Sequence, residues 1–108
     1  MMRVGTQNRL AHYQVEFQEL QEQTAMLNAQ LPGLMSQIQS LEAYLRANGG
    51  DRTAKQNYNN ARSRYNQTCT AIRRNTVRMQ TLQRQIAGEC NKAMYGSTGM
   101  RRPRRRYY

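Results

Sequence analysis

The sequence predicts an all-α protein: an antiparallel two-helix coiled-coil hairpin that carries an irregular, basic C-terminal tail. Three observations predict it. Apolar residues recur in alternating steps of three and four through both halves of the chain, a Gly-Gly turn separates the halves, and the chain closes on RRPRRRYY at residues 101–108.

A short N-terminal arm, residues 1–6, precedes the first helix, which is expected over about 7–48. Its apolar positions are Leu10, Tyr13, Phe17, Leu20, Leu27, Leu31, Leu34, Ile38, Leu41 and Leu45, with Thr24 in the single polar slot. This is a heptad seam sustained over five repeats. Leu31-Pro32-Gly33 challenges it, because an interior proline removes a hydrogen bond at a cost of about 3 kcal/mol. A break there would leave three helices, at roughly 7–31, 33–48 and 51–95. The heptad count runs through Pro32 without a slip, which favours one kinked, continuous helix.

Asn48-Gly49-Gly50-Asp51 forms the expected turn, with glycine as the C-cap of the first helix and Asp51 as the N-cap of the second. The second helix is expected over about 51–95. Its seam is more polar: Ala54, Tyr58, Ala61, Tyr65, Thr68, Ile72, Asn75, Met79, Leu82, Ile86, Glu89 and Ala93. The fit to an apolar repeat fades toward Glu89. The irregular tail takes in residues 96–108.

Folding the chain about the centre of the turn tests the hairpin internally. Leu45 then comes level with Ala54, Leu41 with Tyr58, Leu34 with Tyr65, Leu20 with Met79 and Phe17 with Leu82, so every layer of one seam meets a layer of the other. The polar slot Thr24 falls level with Asn75, as a hydrogen-bonded layer that sets register requires. By the same levels Glu16 approaches Arg84 and Glu22 approaches Arg78, exposed pairs that select orientation more than they stabilise.

Composition narrows the function. The chain has 108 residues, a net charge of +11 and a hydrophobic fraction of 38%, against roughly 45–50% in globular domains, a figure that also counts glycine. A two-helix seam in so polar a chain is commonly completed by association. Val15, Met26, Met35, Tyr44, Val77 and Met94 lie off the seam and are candidate partner contacts. No window is apolar enough to span a membrane, and MMRVGTQNRL lacks the apolar run of a secretory signal.

Catalysis has little to work with. His12 is a lone helical histidine, and the glutamates of the first helix find no paired carboxylate, so neither a metal nor another cofactor nor a small-molecule substrate is expected. Cys69 and Cys90 would lie about 31 Å apart on one helix, too far to pair within it. GSTG at 96–99 lacks the lysine of a phosphate loop, and Asn66-Gln67-Thr68 matches the glycosylation triplet by chance.

Arginine outnumbers lysine fifteen to two. Its planar fork grips phosphate or carboxylate and stacks on rings. Arg101, Arg102, Arg104, Arg105 and Arg106, with Tyr107 and Tyr108, form a candidate anchor for nucleic acid or a protein partner, extended by Pro103. Arg62, Arg64, Arg73, Arg74, Arg78 and Arg84 form a basic surface on the second helix, spread over several sides rather than along one stripe. The expectation is a non-enzymatic structural or assembly protein of a large particle, with a viral capsid or virion-associated component as its first setting and a ribonucleoprotein as the second. The expected partners are copies of itself, other subunits, and nucleic acid reached through the tail. The competing expectation is a nucleic-acid-binding protein, nucleoid or ribonucleoprotein, contacting phosphates through the second helix and the tail.

Overall fold

The computed structural model describes residues 4–96. Helix α1 spans Val4–Ala47, helix α2 spans Arg52–Asn91, and a π-helical turn over Lys92–Gly96 closes the described chain. The fold is an all-α helical hairpin. Helix α1 begins inside the stretch expected to be an arm, and the second helix gives way to the wider π turn before its expected end.

Pro32 lies inside α1 and does not divide it. The proline and the neighbouring Gly33 stand on the exposed side of the helix, and nothing comes within 4 Å of a methyl built on Gly33. Water can therefore satisfy the carbonyl that the missing N–H leaves open, and the seam on the opposite side passes the proline undisturbed.

The turn departs from the expected glycine cap. Neither Gly49 nor Gly50 takes a left-handed backbone conformation. Asn48 ends α1 instead, its backbone N–H and its side-chain Nδ2 both donating to the Tyr44 carbonyl, at 2.9 and 3.1 Å. Asp51 starts α2 as expected. Its Oδ1 accepts from the Ala54 N–H at 3.0 Å, satisfying one of the donors that a helix start leaves open.

The chain divides into two compact units. In the unit Gln21–Thr76, Leu34, Ile38, Ala54, Ala61 and Thr68 are buried, and Thr24, Leu27, Leu31, Leu41, Leu45, Tyr58, Tyr65, Ile72 and Asn75 are half-buried. In the unit built from the segments up to Leu20 and from Val77, Leu10, Leu82 and Glu89 are buried, while Tyr13, Phe17, Leu20, Met79, Ile86 and Ala93 are half-buried. Among the described residues Leu82, at 0% exposure, is the most completely enclosed large side chain. Every residue of the predicted seam is withdrawn from solvent, and in the described part of α1 the only other residues so withdrawn are Glu16 and Glu42.

Candidate interaction surfaces

The outward surfaces of the two helices differ in charge. Helix α1 carries Arg9 and Arg46 against Glu16, Glu19, Glu22 and Glu42. Helix α2 carries seven arginines and Lys55 against Glu89 alone. Arg62, Arg64, Arg73, Arg74 and Arg84 are exposed, and none has an ion-pair partner among the described residues. Arg62, Arg73 and Arg84 recur every eleven residues, close to three full turns, and so share one side of α2, while Arg64 and Arg74 lie on others. Arg101, Arg102, Arg104, Arg105, Arg106, Tyr107 and Tyr108 lie outside the described residues.

Arg78 is set apart from the other arginines of this surface. Its Nε donates to Glu16 Oε2 at 2.7 Å and its Nη2 to Glu16 Oε1 at 2.8 Å, a bidentate pair at the margin of the seam. The pairing corrects the expectation of Glu16 with Arg84 and Glu22 with Arg78. Level along the helix is only half of the address. Glu16 and Arg78 each directly precede a seam residue, Phe17 and Met79, and so flank the seam, whereas Glu22 and Arg84 point away from it. Arg78, mainly through its hydrogen bonds, holds the Glu16 carboxyl below its ordinary range, and Glu16 in turn raises the Arg78 guanidinium.

Two further polar clusters tie the helices together. Tyr58 donates its hydroxyl to Glu42 Oε2 at 3.1 Å, and the Arg62 guanidinium lies 5.7 Å from the centre of the Tyr58 ring, within cation–π range. These three residues line a shallow, open groove with Met35, Ile38 and Tyr65. At the turn, Tyr44 donates its hydroxyl to Asp51 Oδ2 at 2.8 Å. Asp51 therefore uses one oxygen as a helix cap and the other as an acceptor across the turn. The backbone N–H of Ala54 and the Tyr44 hydroxyl hold its carboxyl below the ordinary value, and Asp51 raises the Tyr44 phenol.

Glu89 is the acidic residue of the seam, 6% exposed. Lys92 Nζ donates to its Oε2 at 3.2 Å, and Arg9 Nε stands 3.1 Å from its Oε1 without the alignment of a hydrogen bond. Burial pushes the Glu89 carboxyl up; Arg9 and Lys92 more than offset this and leave it below its ordinary range. A carboxylate at a position that breaks the apolar repeat was the sequence signal for this site, with Lys92 one turn away.

No protein-family model, curated protein or solved structure matches this chain. Its surfaces therefore stand on their own chemistry.

The hydrogen-bonded layer expected of Thr24 and Asn75 does not form. Both residues are half-buried, but Thr24 Oγ1 is enclosed with no hydrogen-bond partner. A hydrogen bond depends on where two short side chains are aimed as well as on their level along the helices. Cys69 and Cys90 are free, half-buried thiols. His12 packs against the Tyr13 ring at 6.3 Å between centroids. Among the described residues, no group of three or more His, Cys, Asp or Glu side chains is arranged to hold a metal, and no helix is long and apolar enough to cross a membrane.

The off-seam apolar residues are all solvent-facing: Val15, Met26, Met35, Tyr44, Val77 and Met94 are exposed, Met26 and Met94 each at 66%. They are distributed over both helices. Tyr44, expected as a partner contact, already uses its hydroxyl on Asp51.

Proposed function

We propose that this chain is a non-enzymatic structural piece of a large assembly, set in a viral capsid or virion-associated shell, where the hairpin packs against other subunits and the arginine-rich tail acts as an anchor. One observation carries the reading. The hairpin draws every residue of its own seam at least partly out of solvent, yet it leaves Val15, Met26, Met35, Val77 and Met94 exposed on sides that its own helices do not cover. Apolar side chains of that size, left exposed among polar and arginine-rich surroundings, suit contact with several neighbours at once. The bidentate Glu16–Arg78 pair keeps the two helices in one orientation while those neighbours bind.

A second reading is nucleic-acid binding, nucleoid or ribonucleoprotein in type. It is supported by Arg62, Arg64, Arg73, Arg74 and Arg84, which are exposed without carboxylate partners and thus available to phosphates.

Comparing the full chain with a version ending at Gly99 tests both readings, by particle size in solution and by nucleic-acid affinity against salt. The assembly reading expects a species larger than one chain. Purified chain that remains monomeric, alone and with nucleic acid, counts against it. If the tail grips phosphates, removing its five arginines makes the slope of log affinity against log salt shallower by about 4.5 on duplex DNA. Equal slopes assign the tail to a protein surface instead.

A further inference from the structure

Resting on the assembly reading, we propose that the outward face of α1 between Glu22 and Arg46 is a self-association surface for a second copy of this chain, with two α1 helices meeting antiparallel about a two-fold axis near residue 34.

Charge decides which faces of two such chains can meet. Each copy carries +11 overall, and the surplus lies on α2 and beyond. Contact through α2 sets arginine against arginine. Along α1 the stretch between Glu22 and Glu42 contains no charged residue at all. On its outward side Met26, Ala29, Ser36 and Ala43 follow one another at helical spacing and are all exposed, Met26 at 66%. Two copies approach here with the least repulsion, and Met26 leaves water as they do so.

The ends of the face choose the orientation. Glu22 and Arg46 are exposed, and neither has an ion-pair partner among the described residues. In an antiparallel pairing centred near residue 34, Glu22 of one copy comes level with Arg46 of the second, and the two-fold axis repeats the contact. A parallel pairing would set Glu22 against Glu22 and Arg46 against Arg46. The contact is isologous, so it closes at two chains and leaves both basic α2 surfaces directed outward.

Sedimentation equilibrium of the full chain and of the variants E22R, R46E, E22R/R46E and A29K tests this, with circular dichroism checking that each keeps its helices. The parent is expected to dimerise, and A29K, which buries a cation in the contact, to be monomeric. Each single reversal should weaken association by roughly tenfold, because two exposed pairs are lost at once, and the double exchange should restore it. Rescue cannot arise within one chain, where the two residues stand about 36 Å apart on the same helix. E22R raises the net charge and R46E lowers it, so opposite effects of the two would assign the change to overall charge and overturn the inference. A double variant as weak as the singles also overturns it. If the parent associates and A29K associates equally well, this face is wrong while the assembly reading stands. A monomeric parent overturns the inference, and the broader reading is then judged by the tail-truncation experiment.

Discussion

Arg78 of α2 holds Glu16 of α1 through two parallel hydrogen bonds, Nε to Oε2 at 2.7 Å and Nη2 to Oε1 at 2.8 Å. A guanidinium presents two donors in one plane, and lysine cannot reproduce that fork. R78K is therefore expected to lower the thermal midpoint nearly as much as R78Q, by no more than a few degrees for so exposed a pair. A double-mutant cycle with E16Q should give a coupling that shrinks as salt is raised. Additive effects of the two single variants would show that the pair contributes nothing.

Leu82 is enclosed completely, and truncating it leaves a cavity that two helices cannot refill. Leu82→Ala is expected to cost about 2–4 kcal/mol in urea unfolding, a large share of what a hairpin of this size has. Met26→Ala, on the outward face, should stay within about 0.5 kcal/mol in the monomer. Equal losses at the two sites would contradict the seam.

Thr24 places an unpartnered hydroxyl in the seam. Thr24→Val keeps the shape and removes the buried polar atom, so it should raise stability by up to about 1 kcal/mol. A loss of stability in the urea midpoint would mean that Thr24 Oγ1 has a partner in solution.

Asp51 serves the α2 cap and the Tyr44 hydroxyl together. Asp51→Ala should speed amide hydrogen exchange at Ala54, whose N–H the Asp51 carboxylate accepts, by roughly tenfold, with little change in the middle of α2. The Tyr44 phenol is held above its ordinary value, because its hydroxyl donates a hydrogen bond to the negatively charged Asp51 carboxylate, which favours the protonated form. In Asp51→Asn its titration, followed by ultraviolet absorbance, should move back down; an unchanged curve would dissociate the two residues.

Glu16, Asp51 and Glu89 all have carboxyls held below their ordinary values in the fold. A group depressed on folding contributes stability that is fully present above its unfolded pKa and is lost as pH falls through the folded one. The hairpin should thus hold its stability down to about pH 4.5, the ordinary value for glutamate, and lose it progressively below. Glu89→Gln should flatten that acid limb, read as the urea midpoint against pH. A limb unchanged in this variant would show that the Arg9 and Lys92 contacts do not favour the charged form.

How much of this was legible in the sequence follows from what each feature depends on. The seam is a property of one helix at a time. A period of three and four marks the inward face wherever the helix goes, so Leu10 through Leu45 and Ala54 through Ala93 were readable, as was the Asp51 cap, which acts within four residues. Continuity through Pro32 was readable for the same reason, because the repeat keeps its phase across it. The off-seam apolar residues followed as the complement. The contacts made by long polar side chains were not readable in this way. Glu16 selected Arg78 over Arg84 because azimuth around each helix, and not level along it, determines whether two side chains flank the same seam. Tyr44 turned to Asp51 across the bend, Tyr58 found Glu42, and Glu89 was neutralised by Arg9 and Lys92. Thr24 and Asn75 are both half-buried, yet the Thr24 hydroxyl is left without a partner. The sequence by itself determined the hairpin and its buried face, since the hydrophobic effect acts on a pattern that local geometry repeats. Only the tertiary structure decided the pairing of charges and hydroxyls, since a hydrogen bond depends on direction and on a second helix whose rotation no single stretch of sequence specifies.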